Sequence, residues 1–168
     1  HELPSRPLHI SLDASGSIAM ITYNVPGRVT VHRIEADGTI GARVEQVGDL
    51  DFGIYPHQML MMPDNCGAIL VTRGNDARRD KPEDPGALKL FDMRDGVLAN
   101  RGSIAPGGGF GFGPRHLDFL PSRPWVYVSL ERQNELHVYA LEGDRLTAEP
   151  IFVRDTLAEP SRVRPLQM

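Results

Sequence analysis

The sequence predicts an all-β protein, a partial β-propeller built from four-stranded antiparallel blades. Three observations carry that prediction. Proline opens a short apolar strand four times, at Arg6-Pro7-Leu8-His9-Ile10, Tyr55-Pro56-His57-Gln58-Met59, Gly113-Pro114-Arg115-His116-Leu117 and Arg164-Pro165-Leu166-Gln167-Met168. The prolines recur at roughly 50 to 60 residues, the range of a propeller or array period and not of a helical solenoid. Between them one cassette of short strands and tight turns returns, and no segment sustains a helical period.

The first cassette places strands at about 8–12, 18–23, 29–35 and 42–47. The second places them at about 58–62, 68–73, 87–93 and 97–104. The third places them at about 116–120, 125–130, 135–141 and 146–153. Each run is rich in Val, Ile, Leu or aromatic residues and is bounded by Gly, Pro, Asp or Asn, as half-buried strands require. Between first and second strands stand Asp13-Ala14-Ser15-Gly16, Pro63-Asp64-Asn65-Cys66-Gly67 and Pro121-Ser122-Arg123-Pro124. Between third and fourth strands stand Asp37-Gly38, Asp95-Gly96 and Gly143-Asp144, which tolerate the positive φ of tight hairpins.

Residues 1–168 therefore form one partial domain, with blades at about 7–50, 56–106 and 114–158 and a fourth beginning at 165. Three blades do not close a ring, since propellers typically need 4–8. The expectation is a fragment, or part of a ring completed by further chain or by self-association. A β-sandwich is the competing architecture, but nothing in a sandwich requires the same cassette to recur.

Composition narrows the partners. Of the 168 residues 40% are hydrophobic and 24% charged, with interleaved charges and a net charge of −4. No basic stripe or aromatic ladder is present to grip a nucleic-acid backbone. No stretch reaches the apolar length of a membrane span, and no leader pattern precedes the first strand. A cytoplasmic location is expected, although the first residue is His1 and a removed leader stays open. Cys66, the one cysteine, makes neither a disulfide nor a metal cluster alone and leaves the redox compartment open.

A meander fixes which loops share a face, because antiparallel neighbours alternate direction. His9, His57, Arg115 and His116 start the innermost strands. They share a face with the loops after the second strands, which hold Asn24, Arg73, Glu131 and Arg132. In a propeller these groups converge at the mouth of the central channel. Glu131, His57 and His116 offer an acid or base there, and Arg115, with Arg132 and Arg73, offers an anion clamp. Such a set suits hydrolysis of a small anionic ester or lactone. Metal-type spacing is lacking, so no metal and no other cofactor is expected. The missing Gly-x-Ser-x-Gly elbow argues against a serine nucleophile.

Plainer readings compete at several positions. His9 aligns by repeat with Gln58, His116 and Gln167, a place that suits hydrogen bonding to the next blade. His32 and His137 sit inside third strands and read as surface or interblade residues. The run 107–113 leads into proline and a strand, so its glycines fit a link passing close to the channel and not a nucleotide loop. The charged run 76–84 reads as a mobile, solvated loop, with a lid as the sharper alternative. Asn75 and Asp76 fall well short of a calcium shell.

The third blade's opening motif is Gly113-Pro114-Arg115-His116-Leu117-Asp118-Phe119, succeeded by Trp125-Val126-Tyr127-Val128-Ser129-Leu130-Glu131 and Leu136-His137-Val138-Tyr139. In these runs the chain resembles the lactonase family of seven-bladed propellers. That family includes the propeller-type 6-phosphogluconolactonases and carboxymuconate-lactonising enzymes. Pro56-His57, and Pro7-Leu8-His9 before Asp13-Ala14-Ser15-Gly16, match the family's early strands. Glu131 falls on the family glutamate, while Leu130 replaces an asparagine and the loop 75–86 is longer than usual. The resemblance implies a metal-independent lactone-opening site using His57, Arg115, His116 and Glu131, and the shared face of the meander puts His9, Asn24, Arg73 and Arg132 around the substrate. Two rivals remain: a muconate-type lactonising isomerase, and a propeller that only binds a ligand or protein.

Overall fold

The computed structural model describes residues 3–159 as three antiparallel sheets in series. The first holds β1 His9–Leu12, β2 Ile18–Asn24, β3 Gly27–Ile34 and β4 Ile40–Arg43 in chain order. The second holds β5 Pro56–Met61, β6 Gly67–Thr72, β7 Ala87–Arg94 and β8 Val97–Ile104. The third holds β9 Pro114–Phe119, β10 Trp125–Leu130 and β11 Glu135–Glu142, with β12 Arg145–Leu146 and β13 Phe152–Asp155 both paired to β11. This is a partial propeller. The expected fourth blade at Pro165 lies outside the described residues.

Two outer strands differ from the sequence expectation. In the first blade the strand spans Ile40–Arg43, earlier than 42–47, because Ile34 pairs with Ile40 directly across the Asp37-Gly38 turn. In the third blade the expected continuous strand 146–153 is split into β12 and β13. Pro150 lies in the gap and has no N–H to give a ladder.

Period-2 patterning builds the core between blades. Ala68 and Leu70 of β6 face the first blade, packing with Met20, Val29, Val31 and Phe91. Ile69 and Val71, one residue out of phase, face the third blade with Leu117, Val126, Val128 and Tyr139. Hence every residue of β6 is buried, whereas β10 alternates buried and half-buried along its length. Full burial of each large apolar side chain stabilises by roughly 1.5–3 kcal/mol, so the two cores hold the blades together.

The inner strands β1, β5 and β9 are also stitched by polar bonds. Ser11 Oγ donates to Met59 O at 2.6 Å. Gln58, 9% exposed, reaches both neighbours: its Nε2 lies 3.4 Å from His9 Nε2, and its Oε1 accepts from Leu117 N at 2.7 Å. His9 and Gln58 thus do at their repeat position what the plainer reading expects. His32 is buried against Thr30 and is not a surface residue.

The substitution Gln58→Leu strands the buried Leu117 N–H, and we expect it to cost about 1–3 kcal/mol. Urea unfolding reads this directly. An unchanged midpoint would show that the amide contributes nothing to blade docking.

Candidate active site

Two repeat positions supply the site. On β5, Pro56 pairs with Thr72 and Gln58 with Val71, leaving His57 as an extra residue. On β9, Pro114 pairs with Leu130 and His116 with Ser129, leaving Arg115 as the extra residue. Both are β-bulges, which re-aim a side chain out of the ladder. The first blade carries Leu8 at this place. The second repeat position comes just after the strand-end residue opposite the proline, and is filled by Asn24, Arg73 and Glu131.

The second and third blades bring four of these side chains together. Arg115 Nε donates to His57 Nε2 at 3.1 Å. Glu131 is held from both sides, by Arg73 Nε at 2.6 Å and Arg115 Nη1 at 2.9 Å. Its side chain is only 5% exposed, and a buried carboxylate needs such pairing to offset lost hydration. His116 packs edge-on against His57, with ring centroids 4.7 Å apart.

Arg115 and Glu131 divide two cavities. One, of about 360 Å³, is lined by Tyr55, His57, Arg73, Asp76 and Arg78 in addition to that pair. The other, of about 410 Å³, adds His116, Ser129, Asn134 and Thr156. The remaining expected residues stand apart. His9 lines neither cavity and belongs to the inner-strand network. Asn24 ends β2 in the first blade and lines neither. Arg132 stands behind the wall, paired with Asp76 at 2.7 Å and with Glu83, and its stem lies over Gly113 where a Cβ would come within 2.6 Å.

Tyr55, Asn75, Asp76 and Arg78 also line the first cavity, and none of them is a sequence-predicted site residue. Tyr55 directly precedes Pro56, and the other three follow Arg73 within five residues, Asp76 and Arg78 inside the charged run 76–84. Tyr55 adopts φ 58°, an uncommon conformation for a bulky residue, and its ring lies 5.9 Å from the Arg73 guanidinium. The charged run 76–84 is not a free loop but a tied wall. Asp84 N donates to Asn75 O at 2.9 Å, and Arg78 pairs with Lys81 in a short bridge. Gly74, at φ 66°, allows this closure, since a Cβ there would collide with Asp84 O. The glycine link lies against the same wall: Gly111 N donates to Glu83 Oε1, and Gly86 N to Gly109 O. It therefore supports the loop.

Electrostatics follow from this packing. Burial, then the charges of His116 and Arg115, push His57 down to about 4. Because arginine always donates, His57 Nε2 must accept and its proton sits on Nδ1. His116 is lowered as well, by burial and Arg115, with Glu131 pulling the other way. For Arg73 burial works against the charge, but its bonds to Asp76 and Glu131 win and raise its pKa. Burial likewise opposes the Asp76 charge, yet Arg73 and Arg132 hold its carboxyl below the usual range.

His57 should stay neutral at pH 6 and titrate near 4 in an imidazole NMR titration; a value near 6.5 would contradict the burial and the Arg115 bond. The sign for stability is then fixed. As pH falls from 6.5 towards 4, the unfolded chain binds a proton that folded His57 refuses, so stability drops across that window. We expect His57→Gln to lessen that drop in pH-dependent melts.

Comparison with known proteins adds to this geometry. A family model described as "Lactonase, 7-bladed beta-propeller" matches residues 1–164. A Bacillus subtilis protein named 6-phosphogluconolactonase is 31% identical over 150 residues, covering 85% of this chain and 39% of its own length. A Pectobacterium atrosepticum protein of the same name is 26% identical, over 84% of this chain and 39% of its own. The chain thus spans about two fifths of these curated relatives. Among solved structures, a Lactobacillus plantarum protein superposes with a TM-score of 0.66 at 19% identity, over 93% of this chain and 44% of its own. A Pseudomonas aeruginosa periplasmic gluconolactonase gives 0.64 at 21% identity, over 96% of this chain and 45% of its own. At those identities the likeness speaks for the fold.

Proposed function

Because this chain belongs to the seven-bladed β-propeller lactonase family, we propose that its mouth opens a small, anionic sugar lactone by hydrolysis. The observation that carries the proposal is the Arg73–Glu131–Arg115 chain in the wall common to both cavities, with His57 and His116 beside it. The names of the matched relatives support the same reaction class.

His116 is the proposed base. It is exposed at the mouth, and its lowered pKa keeps it unprotonated near neutral pH. A water molecule attacks the lactone carbonyl carbon as its proton passes to His116. The C–O bond forms, and the carbonyl electrons move to an oxyanion stabilised by the positive potential of Arg115 and Arg73. The ring C–O bond then breaks, and His116 returns the proton to the leaving ring oxygen. Water is the only co-reactant. Glu131 positions the two arginines, and His57 fixes Arg115 through Nε2.

In this reading the mouth is completed by further blades, from more chain or a second copy. Ile10 and Leu12, 55% and 51% exposed on β1, offer apolar surface for such packing.

The test is acid release from gluconolactone and its 6-phosphate, monitored by pH-stat and corrected for spontaneous opening. We expect His116→Gln to lower kcat/KM by about 100-fold or more, the ordinary yield of general-base catalysis. The acid limb of the parent profile should lie below about pH 6.5, the ordinary histidine value, and disappear in that variant. Full activity in both His116→Gln and Glu131→Gln would overturn the assignment.

A further inference from the structure

The wall formed by residues 74–86 contributes a cation that the catalytic proposal does not use. Around the first cavity stand four guanidiniums, of Arg73, Arg78, Arg115 and Arg132, against three carboxylates, of Asp76, Glu83 and Glu131. All three carboxylates are committed. Glu131 is bound by Arg73 and Arg115, Asp76 by Arg73 and Arg132, and Glu83 by Arg132. Arg78 lines the same cavity, yet its side chain forms no hydrogen bond or ion pair among the described residues. The acidic residues of its own hairpin do not reach it: Asp84 takes Lys81 and Asn75 instead.

We propose that Arg78 is a specificity-determining residue, forming a subsite for the phosphate monoester of the substrate at the rim of the first cavity. This deepens the lactonase reading and rests on it. A lactone lying across the Arg115–Glu131 divide puts its carbonyl beside His116 and carries its tail towards Arg78. A guanidinium offers a planar fork of donors that matches phosphate oxygens. Tyr55 stands on the same cavity wall with its hydroxyl unbonded among the described residues, a second donor for that group.

The position is built rather than incidental. The bridge between Arg78 and Lys81, with N–H to carbonyl distances of 2.8 and 3.3 Å, holds the hairpin closed. Arg132 and Gly111 tie its far side through Glu83. The backbone that carries this rim cation is held on such a frame, so less loop freedom is lost on binding.

Calorimetric titration of the chain with 6-phosphogluconate, gluconate and inorganic phosphate tests this, the first two being lactone products that cannot turn over. The parent should prefer 6-phosphogluconate to gluconate by about 10-fold or more, the scale of one charge-assisted contact. Arg78→Ala should collapse that preference to within about 3-fold while leaving gluconate affinity unchanged, and Arg79→Ala on the same hairpin should keep it. Inorganic phosphate should bind far more weakly than 6-phosphogluconate; equal affinity would mean a free-phosphate site and not a substrate subsite. A parent with no preference, or a preference that survives Arg78→Ala, overturns the subsite alone. Failure to bind either sugar acid would instead sink the lactonase reading beneath it.

Discussion

One buried amide holds the three inner strands to a common geometry. Gln58 sits on the middle strand, faces His9 on one side and accepts from the Leu117 backbone on the other. A polar group at this depth must be satisfied, and only one relative placement of the blades satisfies it. The apolar cores on either side of β6 supply most of the docking energy but little direction. Directional bonds at the inner edge convert that non-specific attraction into a defined mouth.

Given that placement, the site is a consequence of repetition with substitution. The bulge after the opening proline aims one side chain towards the mouth in each of the second and third blades, and the residue after the second strand adds another. The first blade puts Leu8 and Asn24 at these places, so it contributes no charge. The second gives His57 and Arg73, and the third gives Arg115 and Glu131. Charges of opposite sign at equivalent positions of adjacent blades must meet, and the Arg73–Glu131 pair is the result. Glu131 is held by two arginine donors, and the two histidines stand beside that chain. Burial and neighbouring cations keep those histidines neutral.

The hairpin 74–86 is where this chain departs most from the regular cassette. Its charges are not simply a solvated brush, because Asp76 and Glu83 pair with arginines of the wall and Lys81 pairs with Asp84 within the hairpin. Glycines at 74, 86 and 109 permit a backbone approach too close for any side chain. The same approach links the loop to the strand that delivers Arg115, so the shape of the mouth and the position of its arginines are mechanically coupled.

Sequence alone determined the blades. Strand period and turn residues are local signals, written within a dozen residues, and the recurrence of proline sets the blade period. They placed nearly every element, as well as the shared face of His57, Arg115, His116 and Glu131. The outer strand of the third blade escaped because Pro150 breaks a ladder that apolar content alone would continue. Tertiary structure decided the rest. The bulges at His57 and Arg115 depend on pairing with a partner strand, which no periodicity reveals. Which arginine meets which carboxylate depends on distances between blades, and so does the presence of Tyr55 and Arg78 in the cavity without Asn24 or His9. Those distances are fixed by packing between residues some fifty positions apart, where local sequence carries no information about approach.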